Sequence, residues 1–179
     1  MLSTLQSKTF LVATSILLFT CCREHLPEPV KPDFYFGECT ATLNGEPWTA
    51  CPFAKINRDS SKFFVEADEL NSYYSVVRIL SLVRVPLEVG TFEFDVFGSE
   101  EKPYCLYSYW EYDYSLADYL VPMGTEAKGS VTLDEYDEGT GDLKGTFNCV
   151  LYHVSGHGIS DAPDSLVFTD GYFHTKILE

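Results

Sequence analysis

The chain has 179 residues, of which 45% are hydrophobic and 22% charged, with a formal net charge of −15. That apolar content excludes a disordered chain, and the length suits one globular domain. The acidic excess repels phosphate backbones, so no nucleic-acid partner is expected.

The N-terminus reads as a lipoprotein signal peptide. Lys8 precedes an apolar run, Phe10–Phe19, and the pair Cys21–Cys22 follows directly. Such a run is too short for a spanning helix, which needs about 20 apolar residues. A Cys immediately behind it is where a diacylglyceryl or palmitoyl chain is attached. Cys21 and Cys22 are therefore the candidate lipidation residues, and residues 1–21 the signal. Residues 22–33 carry Pro27, Pro29 and Pro32, which favour an extended chain of about 3.1 Å per residue, a stand-off from the membrane. The expected location is the cell envelope, lipid-anchored at the outer membrane on its periplasmic or surface side.

From residue 34 to 179 the pattern changes to short β-rich runs between turn residues. Strands are expected near 34–43, 47–55, 62–69, 73–84, 91–97, 104–112, 129–136, 143–153, 165–169 and 172–178. Asn44-Gly45 predicts a type I′ hairpin, because that turn needs positive φ at both central positions. It would pair Leu43 with Glu46, Thr42 with Pro47, Ala41 with Trp48 and Cys39 with Ala50. Cys51 then faces away from Cys39. Four cysteines, Cys39, Cys51, Cys105 and Cys149, follow Cys22, and no disulfide between them is expected; Cys149, alternating with Phe147 and Leu151, reads as a core residue.

Ser75–Val85 is apolar at both parities, which suggests a strand covered on two sides. Phe92, Phe94 and Val96 alternate with Thr91, Glu93 and Asp95, a half-buried strand. Ser115–Leu120 is the one stretch compatible with a turn of helix. Many short strands with turn signals between them predict an all-β fold, an antiparallel hairpin-built sandwich or flattened barrel of about 8–10 strands.

Several motifs combine into a resemblance. They are Ala41-Thr-Leu-Asn-Gly-Glu-Pro-Trp48, Val89-Gly-Thr-Phe92, Gly129-Ser-Val-Thr-Leu133, Gly141-Asp-Leu-Lys-Gly-Thr-Phe147 and Thr169-Asp-Gly-Tyr-Phe173. The chain resembles the small cell-envelope lipoproteins of Bacteroidetes that carry a domain of unknown function. The resemblance implies an envelope lipoprotein and no particular activity.

Candidate chemistry is sparse. His153 and His157 have zinc-like spacing, but Gly156 and Gly158 oppose the helix that spacing requires, so no metal or other cofactor is expected. Asp134–Asp142 is acidic and Gly-rich yet reads as a hairpin turn with charged ends. No motif sets a Ser or Cys beside a His, and an enzyme is not expected. The unusual region is Tyr104–Tyr119, with six Tyr and one Trp in sixteen residues. Tyr107, Tyr109, Tyr112 and Tyr114 form the candidate binding surface, since amphipathic rings beside carboxylates suit a glycan or a protein partner. The expected function is a non-catalytic, membrane-tethered binding or interaction module. A lipocalin-like carrier of a small apolar ligand is the alternative and a hydrolase the weakest one.

Replacing both Cys21 and Cys22 with Ser is expected to move the protein from the membrane to the soluble fraction. Unchanged partitioning of that double variant would sink the lipoprotein reading.

Overall fold

The computed structural model describes residues 30–57, 61–126, 129–156, 158–159 and 162–178. Cys21, Cys22, His157 and most of the expected signal and tether lie outside them. The described residues form ten strands and no helix. They are β1 (Glu38–Leu43), β2 (Glu46–Ile56), β3 (Lys62–Leu70), β4 (Val76–Pro86), β5 (Gly90–Glu93), β6 (Tyr104–Glu111), β7 (Tyr114–Leu120), β8 (Gly129–Asp137), β9 (Asp142–Ser155) and β10 (Ser165–Leu178).

The strands make one sheet whose order is β1-β10-β2-β3-β4-β6-β7-β9-β8-β5, with β1 also on β2 and β9 also on β10. Those extra pairings close eight of the strands into a ring, from which β8 and β5 branch. Long β9 serves the closure twice. Its first half pairs with β8 and its last residues pair with β7, while β10 runs along its other edge. The all-β reading is therefore correct, and the architecture is that of a flattened ring.

Turn chemistry fixes the register locally. Asn44 and Gly45 have φ of 50° and 89°, and β1 pairs with β2 as the type I′ turn requires, Leu43 with Glu46 through Cys39 with Ala50. Asn44 also clips this turn to β10: its side-chain oxygen accepts the Val167 N–H at 2.8 Å, and its own N–H donates to the Val167 carbonyl at 2.9 Å. Asp137, the head of the acidic turn, accepts the N–H groups of Gly139 and Thr140. Those backbone bonds hold its carboxyl below the usual range.

Two expectations are corrected. Ser115–Leu120 is not helical but lies in strand β7, whose Ala117 and Tyr119 point inward at period two while Val121 continues the pattern. Pairing with β6 on one side and β9 on the other outweighs the weak local helix preference of Leu116 and Ala117. Residues 165–178 are one strand rather than two, because Thr169–Gly171 form a bulge, with Asp170 at φ 53°, not a turn.

Side chains fill the ring. One core cluster runs from Cys39, Trp48 and Phe63 through Leu80, Tyr107, Tyr119 and Leu133 to Phe168 and Phe173. Phe168 of β10 bridges the interior, with ring centroids 5.3 Å from Trp48 of β2 and 5.4 Å from Tyr107 of β6. Contacts that short across the ring leave no lumen between those strands. On β9, the Phe173 ring covers Gly145, where a Cβ would lie 2.4 Å from it. The four cysteines are free: Cys39, Cys105 and Cys149 are buried, and Cys51 is half-buried on the outer face.

Phe168→Ala and Tyr107→Ala are each expected to cost about 3–5 kcal/mol in chemical denaturation, as removing a core aromatic does. Tyr112→Ala, at an exposed turn, is expected within about 0.5 kcal/mol of the parent. Equal midpoints for Phe168→Ala and Tyr112→Ala would contradict a filled interior.

Candidate functional site

The tyrosine surface expected from the sequence does not exist as a unit. Tyr107 is 0% exposed. Its ring packs on Phe168, Tyr109 and Tyr119, and its hydroxyl donates to Glu69 at 2.6 Å. Tyr109 is half-buried beneath the Arg78 guanidinium, 5.0 Å from the ring centre. Of the four, Tyr112 and Tyr114 are the largely exposed ones, 92% and 76%, at the β6–β7 hairpin tip. Alternation puts Tyr107 and Tyr109 on the inner face, and inside a ring that face is core. Tyr107 carries the packing here.

The arrangement with unspent chemistry lies on the outer face of β2 and β3. Cross-strand pairing sets Cys51 beside Asp68, Phe53 beside Glu66 and Lys55 beside Phe64. Residues 34–36 fold over this face. Phe36 N–H donates to the Pro52 carbonyl at 3.2 Å. Gly37 follows at φ 77°, where any Cβ would lie 2.0 Å from the His174 carbonyl oxygen, so only glycine lets the chain turn into β1. Phe34 meets Phe53 edge-on at 5.5 Å, and Tyr35 meets it at 5.9 Å. Phe53 is thereby buried although it points away from the core.

Between this segment and the strands is a cleft of about 560 Å³, lined by Phe34, Tyr35, Phe53, Lys55, Glu66, Asp68, Val76 and Leu178. Asp68 is 3% exposed. Its Oδ2 accepts the Tyr35 hydroxyl at 2.5 Å, and its Oδ1 is buried with no hydrogen-bond partner among the described residues. Burial raises the Asp68 carboxyl above its ordinary range, against the pull of the Tyr35 hydrogen bond. Burial, reinforced by the charge of Asp68, pushes Glu66 up to about 7 despite the opposing Lys55. Burial and the bond to Asp68 also raise the Tyr35 hydroxyl far above its usual value, so it stays a donor.

The adjacent residue shows what a satisfied carboxylate looks like. Glu69 points inward, accepts the Trp48 indole N–H and the Tyr107 hydroxyl, and takes the Arg78 guanidinium at 2.7 Å. A third acidic cluster is on β7. Burial alone would raise Asp118, but the hydroxyls of Ser115, Ser108 and Ser155, which donate to it at 2.6–2.8 Å, bring it below the ordinary value. These hydroxyls bond the carboxylate directly, and His153 packs on the Tyr119 ring at 5.2 Å, so among the described residues no imidazole stands between a serine and the acid.

Sequence reasoning missed Phe34, Tyr35, Glu66 and Asp68. The available signal was Glu66-Ala-Asp68, two carboxylates at period two within the apolar strand Phe63–Leu70, opposite Phe53 in the register set by the first hairpin. No protein-family model, curated protein or solved structure matches the chain.

Because Glu66 holds its proton more tightly folded than unfolded, the folded state binds more protons between the ordinary carboxylate range and about pH 7. This group's contribution to stability is therefore full at low pH and is lost as pH rises toward and past 7. Glu66→Gln is expected to raise the melting temperature at pH 8 and leave it nearly unchanged at pH 4. A lower melting temperature at pH 8 would contradict the burial assigned to this carboxylate.

Proposed function

We propose that the chain is a non-catalytic, lipid-tethered binding module of the cell envelope, with a protein or glycan partner that seats a group in the Phe34–Asp68 cleft. The observation that carries this reading is the buried Oδ1 of Asp68, with no partner among the described residues, in a cleft walled by aromatic rings. A buried carboxylate oxygen without a donor costs about 1–3 kcal/mol or more, and an incoming ligand offsets that cost. Apolar walls with a few convergent polar groups are what a ligand site requires. The lipid anchor at Cys21 or Cys22, followed by the proline-rich stretch to residue 33, would place the module at the membrane surface.

The carrier alternative needs an open lumen, whereas Phe168 and its neighbours occupy the ring's interior. The hydrolase alternative has the least support, since the serines around Asp118 bond the carboxylate directly with no intervening base among the described residues.

The test is a ligand screen by NMR on the full-length chain, with soluble envelope glycan fragments, peptides and small polar fragments. Binders are expected to shift the amide signals of Phe53, Glu66 and Asp68, and to stop doing so in Asp68→Asn. A screen in which no compound moves those signals would overturn the proposal.

A further inference from the structure

Taking the cleft as a ligand site, as just proposed, we infer that the group it receives is an organic ammonium ion, a protonated amine on an apolar stem. Three features converge on that chemistry.

The first is the pair of acceptors. Asp68 Oδ1 has no donor among the described residues, and Glu66 lies two residues away on the same face of β3. An ammonium brings three N–H donors and a positive charge together, whereas a hydroxyl brings a donor and leaves the charge uncompensated. The second is the charge count. Two carboxylates and one lysine, Lys55, line the cleft, in a chain of net charge −15. An anionic ligand would meet both carboxylates. The third is the wall. Phe34, Tyr35, Phe53, Val76 and Leu178 supply apolar surface for a hydrocarbon stem. Aromatic faces attract cations, and the chain's own lysines already use these rings. Lys31 Nζ stands 5.7 Å from the Tyr35 ring centre and Lys55 Nζ 5.6 Å from that of Phe53.

The pH dependence follows from the groups around Glu66. Its own strand contributes Asp68, β2 contributes Lys55 and Cys51, and the N-terminal segment contributes Tyr35 with Lys31 over its ring. On β4 the residue in register is Ser81, which does not titrate, and β10 contributes Leu178. Within this group of residues burial and the charge of Asp68 push Glu66 up to about 7, against Lys55. A cation prefers the ionised form, so its affinity falls as pH falls through that value.

The experiment titrates the full-length chain with three probes at pH 8 and pH 6, reading affinity from the Phe53, Glu66 and Asp68 amide shifts. Pentylamine is the ammonium on an apolar stem, 1-pentanol its neutral counterpart, and Nα-acetyl-lysine methylamide the same amine carried by a peptide. Pentylamine is expected to bind at least about tenfold more tightly than pentanol. It should weaken by up to about tenfold from pH 8 to pH 6, the change in ionised fraction of a group titrating near 7. Asp68→Asn, which keeps an acceptor for Tyr35, should abolish binding with the melting temperature retained. Glu66→Gln should flatten the pH dependence, and Lys55→Gln, removing the competing internal cation, should tighten binding. Equal binding of the lysine derivative would support a protein's lysine as the source, and pentylamine binding alone a free small amine. Equal affinity for pentanol and pentylamine, or no pH dependence in the parent, would overturn the ammonium assignment. Neutral glycans shifting the cleft signals while amines do not would overturn this inference and leave the binding module standing. Silence from every probe and from the wider screen would overturn both.

Discussion

The structure depends on β10. A sheet of this size has two edges, and each edge exposes unpaired N–H and C=O groups that invite another chain. Here β10 takes β1 on one side and β9 on the other, and its last residues reach β2. That single strand converts an open sheet into a ring and removes both edges from the eight strands it closes. The bulge at Thr169–Gly171 belongs to this role, since β10 must bend to follow β1 and β9 at once. Asn44 adds a side-chain clamp at one end of the seam.

Closure dictates what the interior contains. A ring of eight strands is just wide enough for its inner side chains to fill it, and this one is flattened until Phe168 touches residues from β2 and β6 together. The inner face is then committed to packing, which leaves the outer face and the loops for the recognition proposed above. Two neighbouring residues on β3 show the division. Glu69 faces in and is fully engaged by Trp48, Tyr107 and Arg78, which joins β2, β4 and β6 to β3. Asp68 faces out, is hidden more deeply from water, and has one oxygen engaged and one with no partner among the described residues. The same chemical group is structural on one side of a strand and holds unused binding capacity on the other.

Local turn chemistry was legible in the sequence to the residue. Asn44-Gly45 allows one turn type, that turn allows one register, and the register then orients Cys39 and Cys51 correctly. The alternation of Phe92, Phe94 and Val96 was legible for the same reason, although regular pairing stops at Glu93. What failed was information that exists only once the ring closes. Period two says that Tyr107 and Tyr109 share a face, but not that the face is the interior. Six tyrosines in one stretch look alike in sequence, and the fold sends Tyr107 and Tyr119 to the core while Tyr112 and Tyr114 stay at the hairpin tip. The cleft was hidden by a related limit. Its walls come from Phe34 and Tyr35 at one end, β2 and β3 in the middle and Leu178 near the other end of the chain, so no window of sequence contains it.

The N-terminal segment ties these constraints together. Residues 34–36 do not belong to the ring, yet they cover Phe53 and complete half of the valence of Asp68. Without them Asp68 and Glu66 would stand on a more open sheet face. With them the carboxylates lose water and become strong acceptors for any donor that enters. The same residues follow the proline-rich stretch that leads, in the proposed setting, to the lipid anchor. In that setting, a site whose wall begins where the tether ends would lie on the membrane-proximal side of the domain. The arrangement of the cleft is set by one short segment, and Gly37 is the residue that lets that segment fold back over the sheet before the ring begins.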